Sequence, residues 1–471
     1  MVAGLPESIV QSFHSIIQLC AIALDVGPEF ASNKTPEEFV AVVNRILQLH
    51  GGNKLERLRL YFCPLDLFLP DINNWIAFSI AKGVEALEMD FSVRFDLAPN
   101  QFSNGARFFR LPDHLYPCNS LTHLSLSHCE VQPPLGFTGF SGLRFLSLAD
   151  ADITNDVLQF ILANCPNLES LILREWLSLE SIKLVAENPR LRRLAFVECW
   201  NTYQIEISAT HLQSFTFYGE YAFGSEFNLS ESSNVIVPSL EDAFISSIDK
   251  EHTEPYHDYT MLLSDIAHVK ILTVCSATLM RFTIYEETDA ALLPLVLPNL
   301  QELQLLMDSM NSEYLKYIYG YLRLCHTPLL EKLFIQLPSI PEDLTYIYDP
   351  SEEVQEPSGV VFGHLRKIKL CKFKGCKCEM SLVKFLLQRA VVLEIMVLVT
   401  PPGHNKVERI GEGQDSGVEE VVPGYNIDLL SLRQQLSMLP KASPRANIVL
   451  YKFEEDDQAL TPTHKDYYCE F

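Results

Sequence analysis

One leucine phrase recurs along this chain of 471 residues and constrains its fold more than any other feature. The phrase is Leu-x-x-Leu-x-Leu, or the same spacing with another apolar residue in a leucine position. Thirteen copies start at Leu55, Val84, Leu121, Leu143, Leu168, Leu191, Leu212, Leu240, Val269, Leu300, Leu330, Leu365 and Leu393. The mean step is about 28 residues, which indicates a repeat array that extends one core by stacking.

The spacing inside each phrase predicts a short parallel strand. Alternate leucines point inward, and the residues between them point to the opposite, outward side. Helix-period segments lie between phrases, most clearly at 154–163, where Thr154 is a suitable N-cap. The predicted fold is therefore α/β: a leucine-rich repeat solenoid (horseshoe) with parallel strands on the concave face and helices on the convex face.

Composition limits the partners and the compartment. The chain is 48% hydrophobic and has a formal charge of −24, so a folded protein is expected and nucleic acid is disfavoured as a partner. No apolar run reaches membrane-spanning length. Twelve cysteines without a secretory signal indicate reduced thiols in a cytoplasmic and/or nuclear protein. Cys63, Cys129 and Cys199 occupy repeat position nine, where a core role is expected.

Four stretches of the sequence resemble plant F-box proteins that carry leucine-rich repeats and an FBD region. Residues 37–47 (Glu37-Glu38-Phe39-Val40 onward) and 71–89 look like that family's first repeats, and 111–129 looks like its next unit. The stretch 362–397, which opens Phe362-Gly363-His364-Leu365, is similar to the FBD core. The order of these segments is more specific than the repeats alone.

The N-terminus departs from that family. Residues 5–16 resemble the opening helix of an F-box, but the following helices and the Ser-Lys-x-Trp segment are missing. The resemblance therefore implies only a remnant of the contact with the Skp adaptor of cullin-RING ubiquitin ligases, at Leu5, Pro6, Ile9 and Phe13.

Four regions follow from these patterns. Residues 1–35 form a degenerate F-box-like segment, and 36–350 carry the leucine-rich repeats. Residues 351–400 form an FBD-like repeat region, and 401–471 hold a loop, a helix, a strand and an acidic tail. Repeat steps lengthen after residue 240, and a domain seam is predicted near 350.

The sequence favours a binding protein over an enzyme. It contains no nucleophile elbow and no phosphate-binding loop, so no catalytic residue, metal or cofactor is expected. Cys371, Cys376 and Cys378 near His364 lack the paired knuckles of a zinc ribbon. The expected interpretation is a turn that contains these cysteines, between a strand ending near Leu370 and a helix starting near Ser381.

Two surfaces are candidates for binding. The concave face should present a row of hydroxyl, aromatic and arginine groups to a target protein: His123, Ser125, Phe145, Ser147, Ser170, Arg174, Trp176, Arg193, Trp200, Thr216 and Tyr218. Trp176 and Trp200 could instead fill core turns. A basic cluster is the candidate for an anion: Arg366, Lys367, Lys369, Lys372, Lys374 and Lys377. A solvated strand edge is the plainer interpretation of that cluster.

The expected function is target binding by the substrate-recognition part of an F-box/LRR ubiquitin-ligase subunit, as the resemblance implies. A ligase-independent scaffold or competitor would use the same surface. A sensor of a small anionic ligand would use the basic cluster instead.

Overall fold

The computed structural model describes residues 23–27, 30, 34–62, 66–92, 108–175, 181–185, 188–199, 204–220, 226–228, 237–248, 266–280, 295–339, 354–402, 429–456 and 460–465. The chain divides into two compact units, unit 1 (Met1–Ser239) and unit 2 (Leu240–Phe471). Each unit is built on parallel strands, and the two are described in turn.

Unit 1 is organised around a parallel sheet. Its described strands are β1 (Ala23–Val26), β2 (Arg57–Tyr61), β3 (Ala86–Asp90), β4 (Phe109–Arg110), β5 (His123–Ser127), β6 (Cys129–Glu130), β7 (Phe145–Ala149), β8 (Ser170–Arg174), β9 (Ser181–Val185), β10 (Arg193–Val197), β11 (Gln204–Ser208), β12 (Ser214–Glu220) and β13 (Glu226–Asn228). The main sheet has the order β1-β2-β3-β5-β7-β8-β10-β12. Two further parallel groups, β4 with β6 and β9 with β11 and β13, lie outside it. Each repeat therefore contributes one main strand.

Three described helices connect main strands of unit 1: α1 (Pro36–Leu49), α2 (Leu69–Ala81) and α3 (Asn155–Asn164). Helix α1 begins at a capping box, in which Thr35 accepts from the Glu38 amide and the Glu38 carboxylate accepts from the Thr35 amide. The predicted N-cap of α3 is confirmed, since the Thr154 side chain accepts from the Val157 amide. Local sequence signals thus fix where these helices start.

Unit 2 repeats the arrangement. Its described strands are β14 (Asp242–Ile248), β15 (Ile271–Cys275), β16 (Leu295–Val296), β17 (Glu302–Leu306), β18 (Cys325–His326), β19 (Lys332–Gln336), β20 (Lys367–Cys371), β21 (Ile395–Val399) and β22 (Asn447–Tyr451). Its described helices of eight residues or more are α4 (Ser312–Leu324), α5 (Lys377–Arg389) and α6 (Leu429–Ser437). The main sheet runs β14-β15-β17-β19-β20-β21-β22, and β16 pairs with β18.

The leucines of the phrase form the core of each unit. In unit 1, Leu58, Leu87 and Leu171 are fully buried, and in unit 2 Leu303 and Ile368 are too. Strand register stacks them directly, because Leu58 lies opposite Leu87 and Leu333 opposite Ile368. Burial of a leucine side chain contributes roughly 1.5–3 kcal/mol, so repetition of the phrase is the main source of stability.

The α/β leucine-rich-repeat fold is confirmed, and each of the thirteen phrases is followed by a main strand that begins two residues after the first apolar position. A helix does not connect every described pair of main strands; between β5 and β7, for example, the connection contains the short strand β6. Cys129 and Cys199, at repeat position nine, are fully buried as expected, whereas Cys63 lies outside the described residues.

Strands pair across both positions where the sequence predicts a boundary, 35 and near 350. Strand β1 pairs with β2, so the repeat sheet already includes residues 23–26. Strands β19 and β20 lie on either side of residue 350 and pair over five positions. The FBD-like stretch 351–400 supplies two further main strands, β20 and β21. The division into four regions stays a prediction.

Among the described helices, none combines the length and the apolar character that a membrane span requires.

Candidate functional site

The outward side of the main strands in unit 1, here called the unit 1 face, collects most of the predicted binding residues. Register places His123 beside Phe145, Phe145 beside Ser170, and Ser170 beside Arg193. A second row on the same strands joins Ser125 and Ser147. Parallel pairing in register therefore brings residues from distant parts of the sequence into adjacent rows.

An aromatic pair is the most distinctive feature of the unit 1 face. The rings of His123 and Phe145 are stacked, with centroids 4.0 Å apart and planes 4° from parallel. Both side chains are half-buried. Burial lowers the pKa of His123, with Arg57 acting in the same direction and Glu88 opposing it. The imidazole is therefore neutral at pH 7, and the two rings form a flat, uncharged plate.

Exposure along the unit 1 face is uneven, which corrects part of the prediction. Arg193 is exposed, and Ser125, Ser170 and Arg174 are half-buried. In contrast, three predicted binding residues present almost no surface, with exposed fractions of 8%, 1% and 5%: Ser147, Thr216 and Tyr218. An outward position is accessible only where nothing else packs over the sheet, and the sequence pattern does not report that packing. Trp176 and Trp200 lie outside the described residues, as do Leu5, Pro6, Ile9 and Phe13.

A charged group next to the plate is absent from the sequence prediction. Arg57 forms an ion pair with Glu88, and the guanidinium of Arg59 lies 3.6 Å from the same carboxylate and 3.5 Å from Asp25. These residues occupy outward positions of β1, β2 and β3, which pair in register. The signal was available, because charged residues alternate with leucines in Arg57-Leu58-Arg59-Leu60.

A second feature missed by the sequence reasoning is a set of left-handed residues directly after main strands. Five non-glycine residues have positive φ at the same repeat position: His128 (56°), Asp150 (42°), Glu175 (52°), Glu198 (56°) and Lys372 (59°). The Nδ1 atom of His128 lies 2.7 Å from the Asp150 carboxylate. Each residue stands seven positions after the first apolar residue of its phrase, so the signal was a polar residue immediately before position nine. Four of these turns form one edge of the unit 1 face.

The acidic members of that edge repel one another. Burial raises the pKa of the Glu175 carboxyl, and Glu198, Asp150 and Asp90 raise it further. Arg174 opposes this shift weakly. The edge is therefore a negatively charged border to the plate.

In unit 2, the predicted basic cluster does not form one open patch. The Lys369 side chain is only 3% exposed and is paired with Asp456, so the interpretation of the cluster as a solvated strand edge is wrong for this residue. Lys374 is 7% exposed at its side chain and lies 3.9 Å from the Glu379 carboxylate. Arg366 pairs with Glu394. Three of the six cations therefore already have acidic partners.

The remaining members of the cluster differ in environment. Lys367 and Lys377 are exposed, whereas Lys372 is half-buried. Burial lowers the pKa of Lys372, and the nearby charge of Lys374 lowers it further. The three side chains therefore do not share one environment, and their role in anion binding stays a prediction.

The cysteines have the properties of core thiols. Burial raises the pKa of Cys165 to about 11 and that of Cys376 to about 12, with Glu379 raising the latter further. Thiols with raised pKa values are poor nucleophiles at neutral pH. Within the residues that the structure describes, no group of three or more His, Cys, Asp or Glu side chains is placed to hold a metal ion.

Comparison with known proteins agrees with this architecture. A family described as "At1g61320/AtMIF1, LRR domain" matches residues 46–421. The putative FBD-associated F-box protein At1g61330 of Arabidopsis thaliana is 24% identical over 391 residues, which cover 80% of this chain and 82% of that protein. The F-box/FBD/LRR-repeat protein At1g13570 of the same plant is 33% identical over 125 residues, or 26% of each chain.

Coverage differs among these relatives. The matched region spans 26% of At1g13570 and 42% of the putative FBD-associated F-box protein At5g56410, which is 27% identical over 238 residues. Activities of the whole relatives therefore reach this chain only as proposals.

The stacked strand repeats define a leucine-rich-repeat protein whose strand side chains form its candidate binding face. More specifically, the chain belongs to the At1g61320/AtMIF1-type leucine-rich-repeat family, and its relatives are F-box and FBD-type proteins of Arabidopsis thaliana. The resemblance of the chain to plant F-box proteins with leucine-rich repeats and an FBD region is confirmed.

Proposed function

We propose that this chain is the target-recognition part of an F-box/LRR-type ubiquitin-ligase subunit and that it binds a target protein through the unit 1 face. The observation that carries the proposal is the stacked His123–Phe145 plate, which lies in one row with Ser170 and Arg193 on four adjacent strands. Membership in a family with F-box and FBD-type relatives supports the link to ubiquitin ligases.

The chemistry of the row suits a protein partner. Aromatic side chains and arginine are enriched where protein interfaces concentrate their binding energy. The plate offers a rigid apolar surface at little entropic cost, because stacking already restricts both rings. Arg193 is exposed and lies two strands away from the ring of Phe145. Its guanidinium can donate two hydrogen bonds to a carboxylate of the target. The expected target segment therefore presents an apolar side chain and, next to it, an acidic one.

Affinity capture with quantitative mass spectrometry tests the proposal. The intact chain would be compared with the double variant His123→Ala/Phe145→Ala, and loss of the plate should remove the target from the captured set. The control is Lys367→Ala, an exposed outward residue in unit 2 that should leave capture unchanged. Circular dichroism confirms that each variant is folded. Capture of the same proteins at the same level by wild type and plate variant would refute the role of the unit 1 face.

The ligase connection has a separate test. Co-purification of the intact chain with a plant Skp adaptor should give a stable complex that the variant Pro6→Ala/Phe13→Ala weakens. Capture of the target without any adaptor would instead make the chain a ligase-independent scaffold or competitor. The two experiments are independent, so the target-binding part stands or falls by the plate variant alone.

A further inference from the structure

The outward side of the unit 2 main strands, here called the unit 2 face, is covered. Its middle position on six successive strands is at most 5% exposed, at Phe244, Thr273, Gln304, Phe334, Lys369 and Val397. The same position in unit 1 is open at Arg59, half-open at Glu88, Ser125 and Ile172, and buried at Ser147, Ala195 and Thr216. The unit 1 face is therefore covered only in part, whereas the unit 2 face is covered on all six of these strands.

The C-terminal segment, defined here as Asp456 together with residues 460–465, lies on the unit 2 face. Its first anchor is Lys369 of β20. The ammonium donates to both carboxylate oxygens of Asp456, at 3.0 and 2.7 Å, and to the backbone carbonyl of Leu460 at 2.9 Å. All three donors of a buried lysine are therefore used by the segment.

The second anchor is Glu302 of β17, which is only 3% exposed. One carboxylate oxygen accepts from the backbone amide of Thr463 at 2.8 Å and from the side-chain amide of Gln304 at 2.7 Å. The other oxygen accepts from Lys332 at 3.2 Å. A carboxylate held by its neighbours therefore receives a main-chain donor of the segment, a contact that does not depend on the identity of residue 463.

The third anchor is an imidazole inserted between two strands. His464 is 5% exposed; its Nδ1 lies 2.8 Å from the hydroxyl of Thr273, and its Nε2 lies 3.0 Å from the carboxylate of Asp242. The ring meets Phe244 edge-on, with centroids 5.8 Å apart. Both ring nitrogens have partners, so this position is selective for histidine.

The anchors run across the strands and not along them. They pass from β20 through β17 to β15 and β14, which is opposite to the chain order of the sheet. Four strand spacings amount to ~19 Å. Eight residues separate Asp456 from His464, and an extended chain of that length reaches ~27 Å. The chain between Asp456 and His464 is therefore long enough to connect the anchors on β20 and β14.

From this geometry we propose that the unit 2 face is a peptide-binding site, which the C-terminal segment occupies in cis. Its ligand class is a peptide that presents an aspartate to Lys369 and, eight residues later, a histidine to Asp242 and Thr273. A second segment of this chemistry binds when the resident one is released. The inference concerns unit 2 alone and does not depend on target binding by the unit 1 face.

Tethering explains why the resident segment dominates. Asp456 follows the last residue of β22, Tyr451, by only five positions. A short tether holds a ligand at an effective concentration on the order of mM, so a peptide in solution competes poorly until the cis anchors fail. Binding in trans is therefore expected only in a chain whose own anchors have been removed.

The test uses the full chain and a fluorescent synthetic peptide with the sequence of residues 452–467. The variant Asp456→Asn/His464→Ala lacks two cis anchors but keeps Lys369, Asp242 and Thr273 for the peptide. Fluorescence anisotropy should show at least tenfold tighter binding to this variant than to wild type. A peptide that carries the same two substitutions should not bind. The control Glu454→Gln/His326→Ala alters an exposed carboxylate and an exposed histidine and should behave as wild type.

Hydrogen exchange separates release of the segment from unfolding. In the double variant the Thr463 amide should lose protection, whereas the amides of β20 and β21 should keep theirs. If those strands also lose protection, the single variant Asp456→Asn, which is nearly isosteric, replaces the double variant in the same titration. Equal peptide affinity for wild type and variant, or no binding to a variant whose strands remain protected, would overturn the proposal.

Discussion

The buried indole N–H of Trp75 belongs to a chain of hydrogen bonds that joins two helices. The Trp75 side chain is 1% exposed, and the indole N–H donates to the Asn44 side-chain oxygen at 2.7 Å. The Asn44 amide nitrogen in turn donates to Asp71 at 2.7 Å. Asn44 lies on α1, and Trp75 and Asp71 lie on α2, so the amide connects the helices through both of its atoms.

Removal of that amide should be costly because the indole donor would stay buried without a partner. We expect Asn44→Ala to lower the free energy of unfolding by ~1–3 kcal/mol. In the Trp75→Phe background the same substitution should cost less, since the donor is already gone. Asn74→Ala, on the exposed side of α2, is the control and should stay within about 0.5 kcal/mol of wild type. Urea unfolding measures the stability of Asn44→Ala, Trp75→Phe, the double variant and Asn74→Ala. If Asn44→Ala lowered the stability equally in the wild-type and Trp75→Phe backgrounds, the unpaired indole donor would not be the cause.

Substitution of Glu175 should raise the free energy of unfolding, whereas substitution of Asn44 should lower it. The reason is that the charged Glu175 carboxylate destabilises the folded chain. Its folded-state pKa is raised by burial and by Glu198 and Asp150, so stability is lost as the pH rises through the folded value. Glu175→Gln removes that loss and should stabilise the chain by ~0.5 kcal/mol at pH 7.5. The gain should disappear below the ordinary pKa of 4.5. Unfolding of the exposed control Glu331→Gln should show no such pH-dependent gain.

The sequence predicts on which side of the sheet each side chain of the repeat faces lies, but it does not predict how much of the side chain is exposed. The phrase correctly places His123 and Phe145 on adjacent strands, which is how the plate arises. It equally places Thr216 and Lys369 outward, yet both are buried. Period-2 alternation determines which side of a strand a residue occupies, but burial of Lys369 depends on Asp456, 87 residues further along the chain. Contacts at that separation leave no local pattern.

Among the elements, the turn at Gly139 depends most strictly on one residue. Its φ is +93°, and a Cβ there would lie 1.5 Å from the backbone carbonyl oxygen of Asn164, the last residue of α3. A backbone atom at a helix end cannot move aside cheaply. Glycine is therefore required both by the backbone conformation and by the close approach of the helix.

Gly136 supplies a matched control for that turn, because it has a φ of +88° but no atom within 4 Å of a Cβ. Gly136→Ala should cost only the conformational strain, ~1 kcal/mol. Gly139→Ala should cost more than ~3 kcal/mol, since it adds displacement of α3. Thermal unfolding of the two variants separates strain from clash. Similar costs for both would show that the end of α3 yields easily.

The strands show why the repeat pattern predicted most, but not all, of the fold. Each of the thirteen phrases contains the start of a main strand, whereas β1 and β22 carry no phrase; β22 lies in 401–471, where the sequence predicts a strand, and β1 was missed. These two strands keep inward apolar residues at Leu24 and Val26, and at Ile448 and Leu450. The first position of the phrase, two residues before the strand, holds Ala21 before β1 and Arg445 before β22, so neither has a leucine there. Among the described strands, β1 and β22 each have a main-strand neighbour on one side only, so the full phrase is not required there.

At the scale of the whole molecule, the excess of acidic residues predicts how salt changes the stability of the protein, which the fold alone does not predict. Acidic residues outnumber basic ones by 60 to 36, which gives the formal charge of −24. Ion pairs such as Arg366–Glu394 are exposed and contribute little, whereas Lys369–Asp456 is buried and poorly screened by salt. Net repulsion between acids is therefore the electrostatic effect that salt changes most.

Sodium chloride should consequently stabilise this protein at neutral pH. Between 20 and 200 mM salt the Debye length falls from about 20 Å to about 7 Å, which screens repulsion between acids on separate repeats. We expect the midpoint of the first thermal transition at pH 7.5 to rise by ~2 °C or more. Near the isoelectric point of about 4.9 the same addition should have little effect, because net repulsion is then absent. A lower midpoint in salt at pH 7.5 would mean that exposed ion pairs outweigh net charge, and the acidic edge at Asp150, Glu175 and Glu198 would then contribute less repulsion than its pKa shift indicates.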